Sequence, residues 1–417
     1  MKLFNIFIFN LLVFSTFTIC TYNFYHTVIF HKYEYMGWVA LKNDRNLVLL
    51  ALSFLNAFLF TFITDSKNSI KNLFITLYFF MCLIPSQIFL HGGDLGIFKL
   101  IYLNLILYIF PIISFLFRQM SVKQISSLNI KLLLIILMIS SVIIIFAISP
   151  PKLSIFSISS FVDLYDIRMQ SRGELSQANS VVKYLYMLTF KVFAPLLFAY
   201  FLLRQKYLFA SAVGIVFFLG FMASGHKSLF LTPFVMITLY QFLQFNYTFQ
   251  KTLPIVFVTL SILSLFSFGL VQFLIGEVLF RRIVIMPGML TTMYFDHFSS
   301  TGFNYFGSLV SRITGSQSIP LPFIIGEAMF GRPQMSANAN FVASGFAEFG
   351  VMGVFLYSVV INLSFYFVSA KDNFKNTVYL VALTPILLAM LETNLTTVLL
   401  THGLFFMIIF CSIGRIR

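Results

Sequence analysis

Two stretches of this 417-residue chain carry the residue types that do chemistry. The first is Asp163-Leu-Tyr-Asp166-Ile-Arg168, followed by Arg172 and Glu174. Asp163 and Asp166 are three apart, a spacing that puts both on one face of a helix. Arginine binds phosphate through two parallel hydrogen bonds and stays charged. Arginines interleaved with carboxylates therefore suit a site that holds an anion and moves a proton, or a solvated loop whose charges pair with each other. The second stretch runs from Arg281 to Gly353. It holds the cations Arg281, Arg282, Arg312 and Arg332, the carboxylates Asp296, Glu327 and Glu348, and His297; of these, Glu327 and His297 are candidate proton acceptors. Asn338 and Asn340 can hydrogen-bond ligand hydroxyls, or serve helix packing with an N-cap from Ser336 or Asn338. A shorter motif, Gly225-His226-Lys227-Ser228, offers a tight turn and a cation. An ordinary helix hairpin with a snorkelling lysine explains it equally.

The elements that position these residues follow from composition. Hydrophobic residues make up 59% of the chain and charged residues 10%, with a mean hydropathy of +0.94. A soluble domain has about 25% charged residues. The apolar runs are continuous and about twenty residues long, as membrane-crossing helices are, and lack the short alternation of a β-barrel. The predicted fold is all-α and polytopic, a single membrane domain over 1–417. It has about twelve spans, near 3–30, 46–64, 72–90, 96–117, 130–149, 184–203, 207–223, 228–246, 252–275, 341–369, 377–393 and 395–414. The first run is too long for a signal-peptide core and no A-x-A site follows it, so it reads as a retained helix.

Charge sets the orientation. With the N-terminus inside, Lys2, Lys67, Lys71, Arg118, Lys123, Lys131, Arg204, Lys206, Lys251, Lys371, Lys375, Arg415 and Arg417 fall inside. The short outside loops receive Lys32, Lys42, Arg45, Lys99 and Lys227, five against thirteen. The expected topology is N-in and C-in, with polar segments 150–183 and 276–340 as two long extracytoplasmic loops. In the second loop, Met286-Pro287-Gly288 is expected to break the helix. Val284–Met293 and Ile319–Ile325 are too short to span and suit re-entrant or interfacial helices. The net charge of +14 then reads as a topology signal, not a nucleic-acid surface.

Other classes lose ground. Cys20, Cys82 and Cys411 lie in or beside apolar runs without a CxxC pair, which argues against disulfide or metal roles. No P-loop, GxGxxG, HExxH or GxSxG occurs, which argues against ATP-driven transport by this chain alone. The 56 phenylalanines fit lipid contact or coding bias. Lys191 and Glu392 are charges inside or at the end of spans, and Glu348, near the membrane surface, needs a partner.

Several of these pieces together resemble a known family. They are the D-x-Y-D-x-R run at Asp163–Arg168, Gly225-x-Lys227-Ser228, Arg281-Arg282 followed by Pro287-Gly288, Tyr294-Phe-Asp296-x-Phe298, and Asn338-x-Asn340 with Gly345 and Gly350. With the two outward loops, the chain resembles a Wzy-type O-antigen polymerase, an oligosaccharide repeat-unit polymerase. The likeness covers most of the chain through short motifs. The R-x10-G repeat of some members is missing: counting on from Arg168, Arg172, Arg281, Arg282, Arg312 or Arg332 reaches no glycine. Matched catch-and-release loops are therefore not carried over.

The resemblance implies a glycosyltransferase of the bacterial inner membrane, acting on the periplasmic side. Undecaprenyl-diphosphate-linked oligosaccharides would be donor and acceptor, a chain-length regulator a further partner, and surrounding lipid the solvent. Arg281, Arg282, Arg168 and Arg172, then Lys227, would stabilise charge on the leaving diphosphate. Asp163, Asp166, Glu327 or His297 would be the general base. No D-x-D motif and no cofactor signature is seen, so no metal or cofactor is expected. Segment 281–353 is expected to work with 163–174. An O-antigen ligase-type transferase would share the donor and use lipid A core as acceptor. A flippase should spread polar residues through its spans to line a cavity. A membrane-bound acyltransferase would want a histidine deep in the bilayer, whereas His226, His297 and His402 lie near ends or loops.

Overall fold

The structure is a computed structural model that describes residues 2–34, 38, 40–41, 46–64, 69–93, 95–117, 128–129, 131–152, 170–171, 173, 179–245, 249–307, 314, 319–369 and 373–415. In chain order the helices are α1 (Leu3–Tyr33), α2 (Asn46–Ile63), α3 (Ser69–Gly92), α4 (Ile97–Leu116), α5 (Lys131–Ile148), α6 (Ser180–Leu203), α7 (Tyr207–Ser224) and α8 (Lys227–Gln244). They continue with α9 (Phe249–Phe266), a π-helix (Gln272–Ile285), α10 (Met286–Thr301), α11 (Leu321–Phe330), α12 (Phe341–Val368), α13 (Asn373–Met390), α14 (Leu395–Leu400) and α15 (Leu404–Ile413). The β-pairing among the described residues is a two-residue parallel match of Leu128 with Gly414 and Asn129 with Arg415. Among the described residues, eight helices (α1, α3, α4, α5, α6, α7, α9 and α12) are long and apolar enough to cross a membrane. The chain is a helical, polytopic membrane protein. Helix also covers most of the expected spans 46–64, 228–246 and 377–393, whereas 395–414 is divided at Gly403.

The residues group into two compact units. The first comprises Met1–Met120, Thr248–Leu363 and Met390–Leu395. Here α1 packs against α2 and α9, and the π-helix packs against α9. Its interior is aromatic. Phe14, Phe17, Phe60, Phe79 and Phe80 are fully buried and meet mostly edge to face, with Phe80 stacked on Phe257 at 5.1 Å. Many phenylalanines thus serve packing between helices, each aromatic pair adding about 0.5–1.5 kcal/mol beyond its buried area. Several buried polar side chains satisfy one another. Asn56 donates to Gln87 at 2.7 Å, Gln87 to Tyr108 at 2.9 Å, and Tyr108 back to Asn56 at 2.7 Å. This closed ring ties α2, α3 and α4 together. Asn10 to Thr61 and Ser53 to Thr18 join α1 to α2 in the same way.

The second unit comprises Ser121–Tyr247, Ser364–Ala389 and Thr396–Arg417. Gly225 caps α7 at φ 66°, turning the chain into α8. Lys131 and Arg204 flank the Tyr200 ring at 5.7 and 5.9 Å.

Proline shapes both units. Among the described residues, π turns occupy Tyr25–Ile29, Phe79–Leu83, Thr189–Phe193 and Gln272–Ile285. The last three are each followed by proline at the second position of the next α segment: Pro85, Pro195 and Pro287. Proline has no N–H and its ring crowds the carbonyl four residues back. A wider turn just before it relieves that clash and keeps the helix continuous. The expected break at Met286-Pro287-Gly288 is therefore corrected. Helix runs without interruption from Gln272 through Thr301, so Val284–Met293 is no separate re-entrant piece. A side chain at Gly288 would strike Pro85, so the two proline-bearing helices meet backbone to backbone.

The true break lies in α12, at Phe349 (φ −143°, ψ 25°) and Gly350 (φ 59°, ψ −139°). The carbonyls this frees are taken by the segment after α10: Asn304 N–H donates to Ala347 O at 2.8 Å and Tyr305 N–H to Glu348 O at 3.0 Å. At Gly350 a Cβ would sit 2.7 Å from the Phe303 ring, on a backbone other residues rarely adopt. Gly350→Ala is expected to cost about 1–3 kcal/mol, read as a lower unfolding midpoint in detergent. Gly96→Ala, with open space around it, should leave that midpoint unchanged.

Candidate functional site

The π-helix carries the densest charge constellation of the first unit. Glu277 is buried, its side chain 4% exposed. Its Oε1 accepts from Lys32 Nζ at 2.6 Å and its Oε2 from Tyr33 OH at 3.1 Å. Lys32 and Tyr33 form the C-terminal end of α1. Four residues beyond Glu277, the half-buried Arg281 donates from Nε to the Glu277 carbonyl at 2.8 Å. Its guanidinium lies 4.1 Å from the centre of the Tyr33 ring. Tyr33 thus holds Glu277 through its hydroxyl and Arg281 through its face. Arg282 follows, exposed. Two cations, Lys32 and Arg281, stand with one buried carboxylate, and the hydrogen bond from Nε uses one of the five guanidinium donors.

Downstream, α10 packs against α11. Thr291 Oγ1 accepts from Asn340 Nδ2 at 2.7 Å, and Tyr294 OH donates to Ala337 O at 3.0 Å. Burial pushes the Tyr294 phenol well above its ordinary range, so it stays a neutral donor. Asp296 is exposed and paired with Lys99 at 2.8 Å. The segment after α10 then covers Glu348.

The sequence candidates separate on this frame. Arg281 and Arg282 join the constellation just described. His297 is half-buried on α10 beside the Phe298 ring, at 4.9 Å. Glu327 on α11 and Arg332 just beyond it are exposed. Asn338 is exposed and accepts from Ser336 at 3.3 Å. Asn340, expected to offer its amide to a ligand, is fully buried. Its Oδ1 accepts the Val342 and Ala343 N–H groups at 3.0 Å each, so Asn340 is the N-cap of α12 in place of Ser336 or Asn338. Lys227 is exposed at the first position of α8, in the second unit. Asp163, Asp166, Arg168, Arg172 and Arg312 lie outside the described residues, as does the expected meeting of 163–174 with 281–353. Among the described residues no group of three or more His, Cys, Asp or Glu side chains is placed to hold a metal ion.

Sequence reasoning passed over Glu277 and Tyr33, and read Lys32 only as a topology signal. A lone acid inside an apolar run, four residues before an arginine, was the available signal for Glu277. No family model, curated protein or solved structure matches this chain.

Tyr33→Phe keeps the ring beside Arg281 and loses only the bond to Glu277, whereas Tyr33→Leu loses both. A cation–π contact at such a site contributes about 0.5–1 kcal/mol. The unfolding midpoint in detergent is expected to fall in the order wild type, Tyr33→Phe, Tyr33→Leu.

Proposed function

We propose that the protein is a membrane glycosyltransferase that polymerises undecaprenyl-diphosphate-linked oligosaccharide repeat units, as the resemblance to Wzy-type O-antigen polymerases implies. The observation that carries the reading is the Lys32–Glu277–Tyr33–Arg281 constellation with Arg282 beside it. It is a fixed group of cations at the end of α1. With the N-terminus inside and about twelve spans, that end lies at the outer surface of the inner membrane, level with lipid phosphates.

In this reading a hydroxyl oxygen of the acceptor repeat attacks C1 of the donor sugar. The bond from C1 to the phosphate oxygen breaks, undecaprenyl diphosphate leaves with the electron pair, and the hydroxyl proton passes to a base. Negative charge grows on the departing oxygen. Arg281 and Arg282 would stabilise it, and Arg281, held by Glu277 and the Tyr33 ring, is preorganised and needs little reorganisation during the step. Arg168 and Arg172 are further diphosphate contacts, with Lys227, Arg312 and Arg332 behind them. Asp163, Asp166, Glu327 and His297 remain the base candidates. A flippase would need polar groups lining a path. In the first unit the buried Asn56, Gln87 and Tyr108 are instead paired with each other, which favours chemistry at the surface.

The test is the surface polysaccharide of a strain lacking the protein, run on a gel. Core carrying one repeat is the expected result. Core carrying none would point to a ligase or flippase and overturn the reading. Arg281→Ala is expected to lower polymer yield at least about 100-fold, the scale of losing a preorganised transition-state contact, with normal membrane insertion. Arg281→Lys should recover only part, because lysine cannot donate from Nε and stack in the same pose.

A further inference from the structure

Glu348 is the last residue before the break in α12 and is 1% exposed. Its Oε2 accepts the Phe306 N–H at 2.5 Å and Asn304 Nδ2 at 3.2 Å. The side chain of Asn394 is a third partner, and Asn394 Oδ1 also accepts from Tyr357 OH at 3.2 Å. The 302–307 segment supplies backbone and amide N–H groups, and the 391–394 turn supplies an amide. The titratable groups facing Glu348 are the phenols of Tyr294 on α10 and Tyr357 on α12. Among the described residues, no Lys, Arg or His lies within ion-pair distance of it.

Glu277 shows how this chain buries a carboxylate with cations beside it. Glu348 has only neutral partners, inside a helix long and apolar enough to cross the membrane. An isolated anion there is expensive, and a proton is the smallest group that removes the charge. The amide of Asn394 offers both a donor and an acceptor, so it can serve the ionised and the protonated carboxyl alike. The cover over the site is also under tension. Tyr305 and Phe306 both adopt left-handed backbone, φ 48° and 57°, which bulky residues rarely do. Such strain persists only where surrounding bonds hold it, here those to Ala347 O, Glu348 O and the carboxyl itself.

We propose that Glu348 is a proton-binding site built into the break of α12, holding its proton under the 303–306 cover and exchanging it when the cover lifts. The proposal is independent of glycosyl transfer and stands or falls separately from it.

Infrared difference spectra of the purified full-length protein test it directly. Wild type minus Glu348→Gln is expected to show a carboxylic C=O stretch at neutral pH that disappears reversibly under alkaline conditions. Glu348→Asp, which keeps the carboxyl, should move this band without removing it. Dicyclohexylcarbodiimide, an apolar reagent for protonated carboxyls, should form an adduct at Glu348 located by peptide mass. Asn304→Ala, which removes one bond from the cover, should speed that labelling by about five- to tenfold. A carboxylate signal at neutral pH in wild type, or no adduct at Glu348 in the folded protein, would overturn the proposal.

Discussion

A backbone carbonyl without a donor costs several kcal/mol in hydrocarbon, and the irregular features of this protein answer to that constraint. Three helix prolines, Pro85, Pro195 and Pro287, are preceded by π turns, which keep the hydrogen-bond ladder running past them. Where α12 does break, the freed carbonyls of Ala347 and Glu348 are met by N–H groups of a neighbouring segment. At the start of α12 the orphan N–H groups of Val342 and Ala343 are met by Asn340. Positions that look like polar function in an apolar chain are in part the means by which the backbone stays bonded.

The same economy separates the two buried carboxylates of the first unit. Glu277 sits on a π-helix and gathers Lys32, Tyr33 and, through its carbonyl, Arg281. That arrangement concentrates positive charge and orders it. Glu348 sits at a helix break and gathers amides. One site therefore presents a lasting field to an anion, and the other is neutral only while it keeps a proton. The glycosyl transfer we propose would draw on the first; the proposed proton site is the second.

Hydropathy made the helices legible, because each apolar run must bury its backbone whatever its neighbours do. It could not locate the interruptions. Pro287-Gly288 reads as a break, yet the π turn before it is encoded by ordinary residues with no signal of their own. Phe349-Gly350 lies in a run that is apolar apart from Glu348, so a profile passes over it, and Gly350 reads as a packing glycine until its φ is known. Arg281 stood out as an outward charge, while Tyr33, whose ring it meets, and Lys32, which pairs with Glu277, are some 250 positions earlier in the chain. Sequence spacing carries no information about contacts of that range. Asn340 was recognised as polar near a helix start, but its burial decided between ligand contact and cap.

The Asn56–Gln87–Tyr108 ring bears on how the protein enters the bilayer. Each member donates once and accepts once around the circle, so none is satisfied until all three helices are present. A helix exposing Asn56 or Gln87 alone to lipid carries an unmet amide, which weakens its hold on the membrane as a single segment. α2, α3 and α4 are thus bound to partition from the translocation machinery as a group, with α4 completing the circuit. Biogenesis of the first unit then has a natural checkpoint, reached when the tyrosine of α4 arrives.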